Sequence, residues 1–226
     1  MRIIIVANGN IDPNDVPNMN GAANVDTPAS RLLHSGDLLI AADGGTRYCQ
    51  TFGVIPQVVI GDFDSLDQDI MITLQAHGVT FIRYPVEKDY TDLELAIQYA
   101  VSRGASEIVV LGALGNRWDQ TLANLLLPVL AEFIGVNIML IDGSQEIRLV
   151  RSGQTLDLLG QPGDTVSLIP LAEDVNGITT QGLKYPLLGE ALRFGSTRGI
   201  SNVLLEVKAT IYVDEGMLLC VLIHQV

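Results

Sequence analysis

The chain is 226 residues long, 48% hydrophobic and 17% charged, with a formal net charge of −13. That composition excludes a disordered chain, and the length suffices for a real core in one large domain or two small ones. The acidic excess argues against nucleic acid and anionic membranes as partners, because phosphate backbones are held by Lys and Arg; an anionic substrate would have to be received by metal ions and local cations.

In chain order, strand and helix patterns alternate over the first part. Residues 3–7 read as a first strand, and 8–27, rich in Asn, Asp, Pro and Gly, as a loop or mobile insertion. Strands at 38–42, 57–60 and 80–83 alternate with helices at 46–52 and 68–76. A helix over 93–103 places Leu93, Ala96, Ile97, Ala100 and Val101 on one face, and Thr91-x-x-Glu94 gives it a capping box. A strand at 107–111, a helix over 118–133 and a strand at 137–141 follow, with Pro128 predicting a kink or break in that helix. Alternation of this kind predicts a parallel sheet covered on both faces.

The pattern changes near Gly143. Short alternating runs at 146–150, 155–159, 165–170 and 177–180 are separated by turns such as Gln161-Pro162-Gly163-Asp164. The runs 204–212 and 217–223 read as a closing hairpin around Asp214-Glu215-Gly216. The expected fold is therefore an α/β domain over 1–143 followed by a small all-β sandwich over 144–226. Cys49 and Cys220 are too far apart for a Cys-x-x-Cys motif, and His34, His77 and His224 stand alone, so a zinc site is not expected. Two reduced thiols, an apolar opening too short for a signal segment and no run near the roughly 18 apolar residues of a membrane span point to a cytoplasmic protein.

Five aspartates fall just past the ends of strands: Asp43, Asp62, Asp64, Asp92 and Asp119. In open α/β sheets, ligands bind outside the carboxyl ends of the strands. Carboxylates gathered there repel one another unless a cation sits among them, and hard divalent ions are held by one or two carboxylates plus substrate phosphates. Asp62 and Asp64, two apart in an extended segment, point to the same side, with Gly61 giving room. Their other reading is an Asx-turn, with Ser65 and Asp67 capping the next helix. Asp43 precedes Gly44-Gly45, which either let backbone N–H groups approach a phosphate or simply make a tight turn. Asp92 sits in a first helical turn, where the dipole favours a carboxylate; Asp89 and Thr91 can act there as local caps. Lys88 beside them is suited to meet a phosphate. The loop from Leu111 through Gly112, Gly115 and Asn116 to Arg117 opens a helix, the usual setting for phosphate binding, and Arg117 is its natural fork. Asp119 could orient Arg117, cap the helix or help hold a metal. Trp118 reads as a core or lid aromatic. There is neither a Walker A motif nor a G-x-G-x-x-G fingerprint.

In combination these pieces resemble the thiamine pyrophosphokinase family. The resemblance rests on Ala42-Asp43-Gly44-Gly45, Gly61-Asp62-Phe63-Asp64-Ser65, the run from Lys88 to Ala96, and the run from Gly112 to Asp119. Gly182-Leu183-Lys184-Tyr185-Pro186 and the run from Arg193 to Asn202 match as well, in preserved order. The resemblance implies transfer of the terminal diphosphate of ATP to the hydroxyl of thiamine, with Mg²⁺. It implies a Rossmann-like ATP-binding domain, a thiamine-binding and dimerising sandwich, and a homodimer holding thiamine near its interface. By motif, Asp62, Asp64 and Asp92 are the implied Mg²⁺ ligands. Asp43, Arg117 and Asp119 line the reacting centre, and Gly44, Gly45, Lys88, Asp89, Thr91, Gly112, Gly115, Asn116 and Gln120 the ATP side. Ser196, Arg198, Gly199, Ser201 and Asn202 fall in the implied thiamine segment. Asn116 stands where the family has a second glycine, which calls for Asn in a left-handed conformation; Gln120 replaces a common histidine. Two rival readings keep the same cluster: a metal-dependent nucleotide or diphosphate hydrolase, and a non-catalytic thiamine or nucleotide sensor.

Overall fold

The computed structural model describes residues 1–12, 33–64 and 66–225. Most of the Asn-rich segment expected as a loop, residues 13–27, lies outside them, as does Ser65. The chain divides into two compact units, Met1–Gly143 and Ser144–Val226. Among the described residues no helix is long and apolar enough to cross a membrane.

In the first unit, β1 (Arg2–Val6), β2 (Leu38–Ala42), β3 (Val58–Gly61), β4 (Thr80–Arg83), β5 (Glu107–Leu111) and β6 (Asn137–Asp142) form a wholly parallel sheet. Its order is β6-β5-β1-β2-β3-β4. Apart from the edge strand β4, whose Thr80 and Arg83 are exposed, these strands are largely apolar runs without alternation because both faces are covered; Ile3, Ile4, Ile5 and Val6 are all completely buried. The covering helices are α1 (Gly45–Thr51), α2 (Gln68–Ala76), α3 (Asp92–Ser102) and α4 (Trp118–Leu126). Cys49, Phe52 and Leu74 from the α1 and α2 regions join Ile4, Leu39 and Val59 in one core, while α3 packs on β1, β2 and β3. Asp67 caps α2 through the N–H of Asp69 at 2.8 Å, and Thr91 caps α3 through that of Glu94 at 3.2 Å. The helix expected to run to Phe133 ends at Leu126 and continues as short 3₁₀ turns, Leu127–Val129 and Ala131–Phe133. Pro128 is the reason: it lacks the N–H that an α-helix needs there.

From β1 the chain runs outward to β2, β3 and β4, then returns to place β5 on the other side of β1. That reversal makes the C-terminal ends of β1 and β5 the natural crevice of the sheet.

The second unit is a two-sheet sandwich. β7 (Gln145–Arg151), β14 (Met217–Ile223), β9 (Thr165–Pro170) and β12 (Asn202–Val203) form one sheet. The other contains β8 (Thr155–Leu159), β13 (Lys208–Tyr212), β10 (Val175–Gln181) and β11 (Leu188–Leu192). Alternate residues such as Ala209 and Ile211 from one sheet, and Leu218, Cys220 and Leu222 from the other, share one core. This corrects the expected hairpin: β13 pairs with β8 and β10, and β14 with β7 and β9. Each strand is already bonded on both edges, so the two cannot also pair with each other. Asp214-Glu215-Gly216 instead carries the chain between sheets, fastened by an Asn176–Glu215 bridge. The first residues of the expected 204–212 run are not strand; Leu204 makes only an isolated bridge to Leu183. Strands β11 and β12 were not expected from the sequence.

Candidate active site

A cleft of about 660 Å³ opens at the ends of β1 and β5. Asn8, Gly9 and Asn10 after β1, Asp43 after β2, Thr91 and Asp92 at the start of α3, residues 112–117 after β5, and Tyr48, Gln120, Thr121 and Asn124 from α1 and α4 line it. Its floor is main chain laced to main chain. The N–H of Gly9 donates to the carbonyl of Gly112 at 2.7 Å, and that of Asn10 to Leu114 at 2.9 Å. A Cβ on Gly9 would lie 2.2 Å from the carbonyl oxygen of Leu114. Thr121 Oγ1 accepts from the N–H of Gly115 at 3.2 Å, and Asn124 donates to the carbonyl of Ala113 at 2.6 Å. The left-handed position of this loop is Gly112, at φ 67°, and not Asn116. The expectation for Asn116 therefore fails, because the turn is made by a residue with no Cβ.

Gly44 and Gly45 serve the protein's own chain. A Cβ on Gly45 would meet the carbonyl oxygen of Val6 at 2.0 Å, and one on Gly44 the side-chain oxygen of Asn8 at 2.2 Å. Arg47 also donates to that Asn8 oxygen at 3.1 Å, and the Tyr48 hydroxyl donates to the carbonyl of Gly9 at 2.8 Å.

Each of Asp43, Asp62 and Asp64 places a carboxylate oxygen within 4.8 Å of the others. Two uncommon backbone conformations build this group: Asp43 at φ 44° and Phe63 at φ 64°. Phe63 is buried, edge-on to Phe81 at 5.4 Å, and anchors the loop between its two aspartates. Arg83 lies 4.9 Å over the Phe63 ring and donates to the carbonyl of Asp62 at 3.0 Å. Gly61 stands at φ 155°, which side chains rarely adopt, and a Cβ there would crowd Asp43 Cα at 3.3 Å. The N–H of Asp64 donates to the Asp62 carboxylate at 3.1 Å, the expected Asx-turn, and this bond is the main reason the Asp62 carboxyl is held below its ordinary value.

Asp92 joins the group through Lys88, whose ammonium lies 2.7 Å from Asp92 and 3.6 Å from Asp62. Burial pushes the Asp92 carboxyl up, the charges of Asp43 and Asp62 add to this, and Lys88 offsets only part of it. The structure thus brings Asp43 into contact range of Asp62 and Asp64, and ties Asp92 to them by a lysine. Carboxylate oxygens without His or Cys are a donor set for a hard cation such as Mg²⁺.

Asp89 is exposed in the turn before Thr91. Asp119 holds Arg117 in a two-point ion pair, with Arg117 Nε to Oδ1 at 3.2 Å. The hydrogen bond lowers the Asp119 carboxyl and raises Arg117. Of the readings open for Asp119, orienting Arg117 is the one the geometry displays. Trp118 is 76% exposed and so is no core residue.

In the sandwich, Arg198, Gly199 and Asn202 line a hollow of about 150 Å³ with Tyr185, Leu187 and Ile200 among others. Asn202 is spent internally: its oxygen accepts from the N–H groups of Tyr185 at 3.0 Å and Val203 at 2.8 Å, and its amide donates to the carbonyl of Tyr185 at 2.7 Å. Arg198 pairs with Glu190, and Ser196 accepts from the N–H of Arg198 at 3.3 Å. Gly199 sits where a Cβ would lie 2.2 Å from the carbonyl of Leu168. Ser201 adopts φ 62° and donates its N–H to Ser167 at 3.1 Å.

Sequence reasoning missed Asn8, Asn10, Tyr48 and Asn124. The signal for the first two was available, since Ala7-Asn8-Gly9-Asn10 follows the first strand of a doubly wound sheet. Tyr48 and Asn124 carry no motif and emerge only from packing.

Fold and cleft together define the class: an α/β unit with acidic and glycine-rich loops at its switch point, followed by a β-sandwich. Residues 29–140 match the family model described as thiamin pyrophosphokinase, catalytic domain, and residues 147–218 match that of the thiamin pyrophosphokinase vitamin B1 binding domain. The thiamine pyrophosphokinase of Bacillus subtilis is 32% identical over 184 residues, covering 81% of this chain and 86% of that one. Thiamin pyrophosphokinase 1 of Caenorhabditis elegans is 27% identical over 187 residues, covering 77% and 74%. The crystal structure of the Bacillus subtilis thiamine pyrophosphokinase is similar with a TM-score of 0.83 at 28% identity over 100% of both chains. That of a thiamin pyrophosphokinase family protein from Enterococcus faecalis reaches 0.82 at 29%, also over 100% of both. The chain belongs to the thiamine pyrophosphokinase family.

Proposed function

We propose that this protein is a Mg²⁺-dependent thiamine diphosphokinase whose nucleotide site is the cleft at β1 and β5. The thiamine hydroxyl oxygen bonds to the β-phosphorus of ATP, the bond from that phosphorus to the α–β bridging oxygen breaks, and AMP leaves. One observation carries the reading: Asp43 and Asp92 line the same cleft as the 112–117 loop and Arg117. Its volume falls within the ~300–1,000 Å³ usual for small-molecule sites.

Asp62 and Asp64, with Asp43 and Asp92 beside them, are the residues that would hold the divalent ion. Bound there, such an ion neutralises phosphate charge and makes the β-phosphorus more electrophilic. The protein's own task is positioning and charge neutralisation. The 112–117 loop and the start of α4 receive phosphate oxygens. Arg117, preset by Asp119, meets the charge that builds on the departing α-phosphate. Lys88 supplies a second cation beside Asp92 and Asp62. The Ser196–Asn202 segment belongs to the thiamine side, and a net charge of −13 suits a cationic acceptor. The hollow there, about 150 Å³, is small for a whole vitamin. This supports a homodimer in which a second copy completes the acceptor pocket; the unbridged thiols of Cys49 and Cys220 are what support a cytoplasmic enzyme.

Incubation with Mg·ATP, with and without thiamine, tests the assignment. AMP and thiamine diphosphate should appear together and only with thiamine. Equal AMP release without it would make the protein a hydrolase. Light scattering should give twice the chain mass; a monomer with full activity would remove the shared pocket.

A further inference from the structure

We infer that Lys88 is the resident counter-ion of the carboxylate group: without nucleotide its ammonium occupies the electrostatic place of the divalent ion, and it moves to the phosphates when ATP arrives with the metal. This rests on the proposed function above and adds an order of binding to it.

The ammonium contacts Asp92 at 2.7 Å and Asp62 at 3.6 Å, and Asp62 in turn belongs to the 4.8 Å group with Asp43 and Asp64. The lysine side chain is only 12% exposed, against 15% for Asp62 and 24% for Asp92, so it is seated among the carboxylates and not splayed on the surface. Arg83, a further cation of this loop, is committed elsewhere: it holds the Asp62 carbonyl and lies over the Phe63 ring. A divalent ion held by Asp62 would share that carboxylate with this ammonium, and like charges so placed repel. Lys88 precedes Asp92 by one helical turn of sequence, in the segment between β4 and α3, and its flexible stem carries a compact charge able to change partners. Triphosphate oxygens entering the cleft offer that new partner. Metal and nucleotide must then favour each other's binding reciprocally, with Lys88 setting the size of the coupling.

Binding of Mn²⁺ to the full-length protein, followed by the electron paramagnetic resonance of the free ion, tests this with and without α,β-methylene ATP, whose α–β link cannot be broken. Without nucleotide, Lys88→Met should bind Mn²⁺ at least about tenfold tighter than wild type, within the usual range of coupling between sites. Lys88→Arg, which keeps the charge, should stay near wild type. The analogue should tighten Mn²⁺ strongly in wild type and little in Lys88→Met. Lys88→Gln, measured in parallel, carries the test if the Met variant folds poorly. Unchanged or weaker Mn²⁺ affinity in the charge-removed variants overturns the counter-ion role and leaves the metal reading standing. If wild type retains no Mn²⁺ with the analogue, or retains it equally in Asp62→Asn, the metal reading itself falls and the counter-ion role falls with it.

Discussion

The two units use polar residues in opposite ways. At the end of the parallel sheet, side chains from four different loops converge on a cleft, and their carboxylates repel one another more than folding alone would choose. In the sandwich, the motif residues of the Ser196–Asn202 segment are consumed by their own chain: Asn202 clamps Tyr185, Arg198 pairs with Glu190, and Gly199 admits the carbonyl of Leu168. A motif can therefore be functional by presenting groups or by shaping a scaffold, and sequence alone does not separate the two.

Mutation separates them. Asp62→Asn should lower AMP release about 100-fold or more at saturating Mg²⁺, the loss usual when a group stabilising transition-state charge is removed. The melting temperature should fall only slightly, since the carboxylate loses its favourable bonds to the Asp64 N–H and to Lys88 while repulsion with Asp43 and Asp64 is relieved; a large stability loss would blur the contrast. Arg117→Ala should cost a similar or smaller factor, mostly in kcat, and leave the melt unchanged because its ion pair is exposed. Asn202→Ala should behave the other way, losing about 0.5–1.5 kcal/mol of stability as its bonds to the Tyr185 and Val203 backbone go and raising KM for thiamine. An unchanged urea midpoint in that variant would show the clamp to be unnecessary.

The smallest effect lies at the C-terminal end of the sandwich. The two ring nitrogens of His224 both face carboxylates that accept, Nε2 towards Glu146 at 3.1 Å and Nδ1 towards Asp164 at 3.0 Å, and both donate when the ring is protonated; Glu146 also pairs with Arg148 at 2.8 Å. The bond to Glu146 is the main reason the imidazole is raised above its ordinary 6.5. A raised value means that its stabilisation is complete below pH 6.5 and lost as pH rises through the folded value. Burial would raise Glu146 and Asp164, but bonds from His224, Arg148 and backbone N–H groups hold both below their ordinary values of 4.5 and 3.8. Their stabilisation is present above those values and disappears only in stronger acid. The clamp is thus firmest between the carboxylates' range and that of the imidazole. Melting should fall as pH rises above 6.5, by about 2–4 °C per kcal/mol lost, and His224→Gln should flatten that slope. An unaltered slope would exclude His224 as its source.

Much of the fold was legible because its signals are local. Uninterrupted apolar strands, the Thr91 cap and Pro128 each act through neighbours in sequence. The β13–β14 hairpin misled because alternation gives a strand's faces and not its partners; two runs joined by a Gly-containing turn look alike whether they share a sheet or cross between sheets. At the site, Asp62 and Asp64 were legible as a pair two residues apart. The closeness of Asp43 depends on Gly61 and on two positive φ values, which no spacing announces. Gly44 and Gly45 were legible as special but not for their reason: Gly45 admits the β1 backbone at Val6, and Gly44 the side chain of Asn8.

That crowding around β1 has a consequence for how the enzyme can change. Gly9 and Gly45 leave no room for even a methyl group against the carbonyls they meet, so the base of the cleft is peptide backbone, common to every sequence that keeps these two glycines. Substitution can wreck such a surface but cannot recontour it. Any drift in nucleotide preference would have to be written on the rim, at Tyr48, Gln120 and Asn124.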